Sequence, residues 1–476
     1  ADGRRHRAWV GAMTYREALD WIYSFSDTER TGRFVRDRED NLRRERALLR
    51  ALGDPQRAYG VTHIAGTKGK GSTAAMIAAM LRAGGLRVGL YTQPDLHTFR
   101  ERIRVGADRI GEREVVALVA ELEAALGRVG SELGPYITYE VATALAFLHF
   151  QRAGVEHAVI EVGLGGRLDA TNVVEPAVAV ITSISFDHTQ VLGSTLRAIA
   201  TEKAGIIKPG APTVTSARTP EALATIEAVC AERGSRLVRV APEESADSEW
   251  TFRAGRASSE RQWCDVWGPD TTLTALELRL LGEHQVENAA AALAAVHELR
   301  CAGLEVSRAD MREGLRTVQW PGRMQQVGMR PWIIVDGAHN ADSMAKLFAA
   351  LRRHFEYDRL LVVLGVMADK DLDGILQEVA RAQPQHVVAS AARYARALPP
   401  EDIATTLRAV APDVPVRVEP IVGGALESAS RLARPPDLIC VTGSLYLVAD
   451  ALRWYAAHET AAQTMLPIEI DGVDHM

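Results

Sequence analysis

Residues 60–91 read GVTHIAGTKGKGSTAAMIAAMLRAGGLRVGLY, and their pattern decides the fold class. Gly60 to Ala65 is a short apolar run of strand type that breaks into a turn with glycine at 66, 69 and 71. A clean helical stretch follows from Ser72 to Ala83. Gly84-Gly85 stops it, and Arg87 to Tyr91 reads as the next strand. Strand, glycine-rich loop, helix and strand make a βαβ unit, which requires a parallel sheet. The loop departs from the strict phosphate-loop pattern because Gly71 separates Lys70 from Ser72. Its physics survives that departure. Backbone N–H groups over Thr67, Lys68, Gly69, Lys70 and Gly71 converge on phosphate oxygens, the helix N-terminus favours negative charge, and Lys70 reaches the terminal phosphates. Ser72 is placed to face a magnesium ion. The bland alternative is a plain glycine-rich turn, and the position between strand and helix favours phosphate binding.

Outward from this unit, helical spacing recurs around Ala18–Tyr23, Arg43–Leu52, 112–127 and 138–153. The runs Ala158–Val162 and Ala177–Ile181 have the continuous apolar character of buried parallel strands. Residues 243–281 alternate in polarity and suggest hairpins at the edge of the first domain. Helical signals return at 285–301 and 307–316, and the pattern breaks at Trp320-Pro321-Gly322-Arg323. Strand-like runs at 332–336, 360–366, 386–390, 415–418 and 437–442 then alternate with helices, which predicts a second doubly wound α/β domain. The expected division is an ATP-binding domain over 13–318 and a Rossmann-like domain over 319–476. Residues 1–12 read as an extension that takes no part in the fold.

The 476 residues exceed what one hydrophobic core supports, and 47% hydrophobic with 24% charged residues is an ordinary globular composition. Fifty-five Lys and Arg against 61 Asp and Glu leave a net charge of −6, which argues against a dedicated nucleic-acid binder. An anionic substrate must therefore be met by local groups. Cys230, Cys264, Cys301 and Cys440 lie far apart and form no CxxC pair, so the expectation is a reducing cytoplasm and no structural zinc. Val141–Phe150, the most apolar stretch, is about half the length that crosses a bilayer. The start of the chain has basic residues but no apolar core of a secretory signal.

Several strand-end loops carry chemistry. Glu161 closes an apolar strand, where a carboxylate can hold Mg²⁺. Asp187-His188 follows the next strand, and Glu202-Lys203 lies one helix further on. Taken alone, His188 would be a hydrogen-bonded structural histidine and Lys203 a solvated surface charge; their place on the phosphate-binding edge shifts that balance. Asp336 ends a strand of the second domain, where it is placed to accept from a ribose. His339 could reach a phosphate, and Asn288, in a helix start, could read an adenine edge. Helix capping and loop hydrogen bonds are equal alternatives for each of these.

The segments GTKGKGST (66–73), RERIRV (100–105), EVGLGGRLDATNV (161–173), ITSISFDHTQVLG (181–193), EKAGIIKPG (202–210), GEHQVEN (282–288), WPGRM (320–324), DGAHN (336–340), ADKD (368–371) and TGSLYLV (442–448) occur in register over nearly the whole chain. Together they resemble the folylpolyglutamate synthase/dihydrofolate synthase family of the Mur ligase superfamily. The resemblance implies an α/β fold of two domains and an ATP-dependent ligase acting through an acyl phosphate. Its substrates would be ATP and L-glutamate with tetrahydrofolate or dihydropteroate, and its cofactors two Mg²⁺ ions, with a monovalent cation as a further candidate. The expectation is a cytoplasmic monomer with neither nucleic-acid nor membrane partners. By similarity Glu161, His188, Ser72 and a carbamylated Lys203 hold metal, and Lys70 and Ser72 hold the β- and γ-phosphates. Asn288, Arg323, Asp336 and His339 would close over the nucleotide, and Leu168-Asp169-Ala170 match the pterin-contacting turn. Where the family has Ser-Pro-His-Leu this chain has Gln93-Pro94-Asp95-Leu96. Gln93 is then expected to bind magnesium directly or through water. Asp95 either meets a pterin edge or is a solvated carboxylate. The competing readings are a Mur-type ligase for another carboxylate and a nucleotide-binding homologue without ligase activity.

Overall fold

The computed structural model describes residues 13–27, 39–130, 133–245 and 247–458. The expectation for residues 1–12 lies outside the described residues. Two sheets organise the chain. The first contains β1 (Gly60–Ala65), β2 (Val88–Tyr91), β3 (Ile103–Val105), β4 (Asp108–Arg109), β5 (His157–Glu161), β6 (Val178–Ile181), β7 (Thr213–Thr215), β8 (Leu237–Pro242), β9 (Trp250–Ala257), β10 (Gln262–Gly268) and β11 (Thr271–Leu278). Their order is β11-β10-β9-β8-β7-β6-β1-β5-β2-β3-β4. The strands from β2 across to β9 pair in parallel, and antiparallel ribbons close both edges. The expected hairpins of 243–281 are the ribbon β9-β10-β11. β7 and β8 carried no strand expectation. β7 is only three residues of alternating Thr and Val, too short to show a period.

Helix Lys70–Ala83 starts two residues before the glycine pattern suggests, directly after Gly69 in a left-handed conformation. It is buried nearly all round, because two helices cover it. Glu283–Cys301 carries the run Ala289–Ala292, whose small side chains allow close approach, and Arg308–Thr317 meets it at Gly314. A Cβ on Gly314 would lie 2.5 Å from the Met80 Cα, so only glycine fits that crossing.

The second sheet holds β12 (Gln325–Met329), β13 (Trp332–Val335), β14 (Leu360–Leu364), β15 (His386–Ala391), β16 (Val416–Ile421) and β17 (Leu438–Thr442), in the order β12-β13-β17-β14-β15-β16. Only the edge strand β12 runs antiparallel. Apolar clusters cover both of its faces. Among the described residues no helix is long and apolar enough to cross a membrane.

Candidate active site

Register places the first functional groups. β1 lies between β5 and β6, with Ile64 opposite Glu161 and Ala65 opposite Ile181. The phosphate loop, Glu161 and the loop after β6 therefore emerge together at the strands' C-terminal edge, where open α/β sheets bind ligands. The second domain faces this edge. One cavity is lined by Gly66–Gly71, by Glu161–Gly165 and by Leu168, Asp169 and Ala170. Asp187, His188, Lys203 and Gln93 complete that side, and Arg323, His339, Met367, Asp369, Lys370, Arg396, Ser444 and Tyr446 of the second domain form the opposing wall.

Glu161 is buried, and burial raises its carboxyl above the usual range, with Lys70 Nζ at 4.0 Å offsetting part of the effect. The Gln93 N–H donates to its Oε2 at 3.3 Å. A buried acid with so little compensation suits a cation. Among the described residues no three or more His, Cys, Asp and Glu side chains converge as a metal cage.

Lys203 is not a solvated surface charge: it is 4% exposed, and its Nζ donates to the Gly66 carbonyl at 2.8 Å. Burial first, then Lys70, pushes its pKa well below the ordinary lysine value, so the amine is held toward its neutral form. His188 has a left-handed backbone (φ 49°), and burial lowers its imidazole to about 4. Asp187 Oδ2 lies 2.7 Å from Lys68 Nζ, which also donates to His339 Nε2 at 2.7 Å.

The Leu168-Asp169-Ala170 turn is pinned by hydrogen bonds to Asp169. Asp169 accepts from Tyr139 Oη at 3.0 Å, from the Thr171 N–H and hydroxyl, and from the Leu164 N–H. Gln93 Nε2 donates to the Tyr139 hydroxyl at 3.1 Å, which leaves the amide oxygen of Gln93 as its end for other contacts.

Four expected site residues stand behind the cavity wall rather than in it. Asp95 is neither solvated nor on the wall: its carboxylate pairs with Arg102 Nε at 2.5 Å, and Arg102 lines the cavity in its place. Asp336 is buried and accepts the N–H groups of Met324 and Ala338, one on each oxygen, so it braces the turn that carries Arg323. Asn288 donates to Gln285 and packs against Gly69. Ser72 is buried in the first helical turn. Conversely, Lys370, Arg396, Tyr446 and Tyr139 line the cavity without having been assigned a role. Lys370 and Tyr446 belong to motifs quoted above, and Arg396 sits in the loop after β15, a strand-end position that could have flagged it. Tyr139, at the start of helix Thr138–Arg152, carried no signal.

Two α/β domains facing each other across a phosphate loop define a ligase of the Mur type. Residues 64–296 match the Mur ligase middle domain, and residues 322–445 match the Mur ligase, glutamate ligase domain. The folylpolyglutamate synthase of Lacticaseibacillus casei is 35% identical over 93% of this chain and 98% of its own. The Escherichia coli FolC structure in complex with DHPP and ADP superposes with a TM-score of 0.80 at 30% identity, covering 94% of this chain and 98% of the other. A probable bifunctional folylpolyglutamate synthase/dihydropteroate synthase of Haloferax volcanii is 36% identical over 92% of this chain, which spans half the length of that relative. The chain belongs to the folylpolyglutamate synthase/dihydrofolate synthase family and is an acid–amino-acid ligase.

Proposed function

We propose that this chain joins L-glutamate to the γ-carboxylate of tetrahydrofolate, and to the carboxylate of dihydropteroate, driven by ATP. The observation that carries the reading is that the phosphate loop, the Leu168-Asp169-Ala170 turn and the second-domain wall share one cavity. The substrate carboxylate attacks the γ-phosphorus and ADP leaves, giving an acyl phosphate. The glutamate amine then attacks the acyl carbon, and phosphate leaves. Lys70 and the backbone N–H groups of the loop hold the transferring phosphoryl group, and Arg323 and His339 approach it from the second domain.

Glu161, His188 and the Gln93 amide oxygen, which line the cavity, would hold Mg²⁺, which neutralises charge on the phosphates when bound. The suppressed pKa of Lys203 favours its carbamate, because only the neutral amine adds carbon dioxide. The carbamate forms with release of one proton, and its anionic oxygens would join the metal-binding set. The test is a single assay matrix of ATP, Mg²⁺ and glutamate with tetrahydrofolate or dihydropteroate, products read by mass. Amide formation with either acceptor, lost on chelation, supports the reading. ATP consumption only with a UDP-muramyl peptide overturns it.

A further inference from the structure

A charged chain crosses the cleft. Asp187, after β6, is shielded from water and sits between Lys68 Nζ at 2.7 Å and Lys370 Nζ at 3.2 Å, one on each carboxylate oxygen. Lys68 belongs to the phosphate loop and Lys370 to the second domain. Lys68 also donates to His339 Nε2, whose ring is fixed by Nδ1 donating to the Gly337 carbonyl at 2.8 Å. Lys370 continues to Asp369 at 3.6 Å, and Asp369 takes Arg396 at 3.2 Å. Without Asp187, Lys68 and Lys370 would face each other and Lys70 with no shared counter-charge.

We propose that Asp187 is the positioning residue that couples the phosphate loop to the second domain, setting the closed arrangement in which Lys370 and Arg396 stand opposite the nucleotide. It acts through the two lysines that its carboxylate holds. The proposal rests on the ligase reading for its kinetic consequence but not for its conformational one. A residue that bridges two bodies should affect the step needing both, and spare binding to one of them.

The test uses the full chain as Asp187→Asn, Lys370→Met and the double variant. Interdomain distance is read by fluorescence transfer between labels on the two domains without substrate, ADP affinity by titration, and kcat and KM for glutamate by amide formation. Each single variant should widen the free chain and lower kcat about 30-fold or more, while the ADP Kd moves less than about threefold. The double variant should be no worse than either single within about threefold, because both remove one coupling. If Asp187→Asn fails to fold, Lys370→Met carries the same readings. An unchanged interdomain distance with kcat within threefold of the parent overturns the proposal, as does a double variant showing the product of the two losses. If the parent forms no amide with any folate or pteroate, the functional reading fails, while the distance and ADP measurements still decide the bridge.

Discussion

Lys203 shows how a single environment can change what a side chain does. A solvated lysine is a cation, whereas this one is buried against the Gly66 carbonyl with Lys70 nearby, and its amine is held toward neutrality. Lys203→Ala is expected to lower amide formation by about 10³-fold or more while ADP affinity stays within about threefold, read by single-turnover mass analysis and nucleotide titration. At Asp95 the expectation is structural. Removing one member of a buried ion pair takes away counter-charge from the other, so Asp95→Ala should cost about 3 kcal/mol in urea unfolding. Placing Ser and His at 93 and 95 would break both that pair and the Gln93–Tyr139 bond, so reduced stability is expected alongside any altered Mg²⁺ dependence. The motifs made Glu161, His188 and the phosphate loop legible as residues of one edge, because each follows an apolar strand. They did not separate wall from support: Asp336 and Asp95 spend their oxygens on backbone N–H groups and an arginine, a choice of partner that no spacing encodes.

At the scale of elements, the phosphate loop depends on close approach. Gly69 has φ 86°, and a Cβ there would sit 2.3 Å from Asn288 Oδ1. Gly69→Ala therefore imposes left-handed strain and pushes the loop off helix Glu283–Cys301. We expect about 1–3 kcal/mol of lost stability and at least a tenfold weaker ADP Kd, measured by denaturant unfolding and titration. Long periodic elements were legible: helix Thr138–Arg152 and strands β5, β6, β14 and β17 fall within a residue or two of their sequence signals. β7 and β8 were not: β7 has only three residues, and in both strands polar threonine or arginine interrupts the apolar run that marks a buried strand.

For the molecule as a whole, two buried imidazoles tie stability to pH. Burial lowers His63 to about 3 and His157 to about 4, with His63 Nε2 against Thr171 and His157 Nε2 against Thr62. Both pKa values are below the unfolded value, so the folded chain binds fewer protons. Stability is complete above about pH 6.5 and falls as pH drops toward the folded values, about 2 kcal/mol per histidine between pH 7 and 5. His63→Gln, which keeps a polar group at the same reach, should shrink that difference by about 2 kcal/mol in paired denaturant titrations. An unaltered pH dependence would remove His63 from this role. The division into two sheets was readable from the break at Trp320–Arg323, whereas the facing of Lys370 and Arg396 toward the phosphate loop was not, since it depends on how two separately folded units meet. The central claim is that this shared cleft makes an amide on a folate. Its most direct measurement is the mass of the product formed from tetrahydrofolate or dihydropteroate with ATP, Mg²⁺ and L-glutamate, with ADP and phosphate counted beside it. The account predicts one added glutamyl unit for each ADP and phosphate released; ATP turnover with the acceptor left at its starting mass would contradict it.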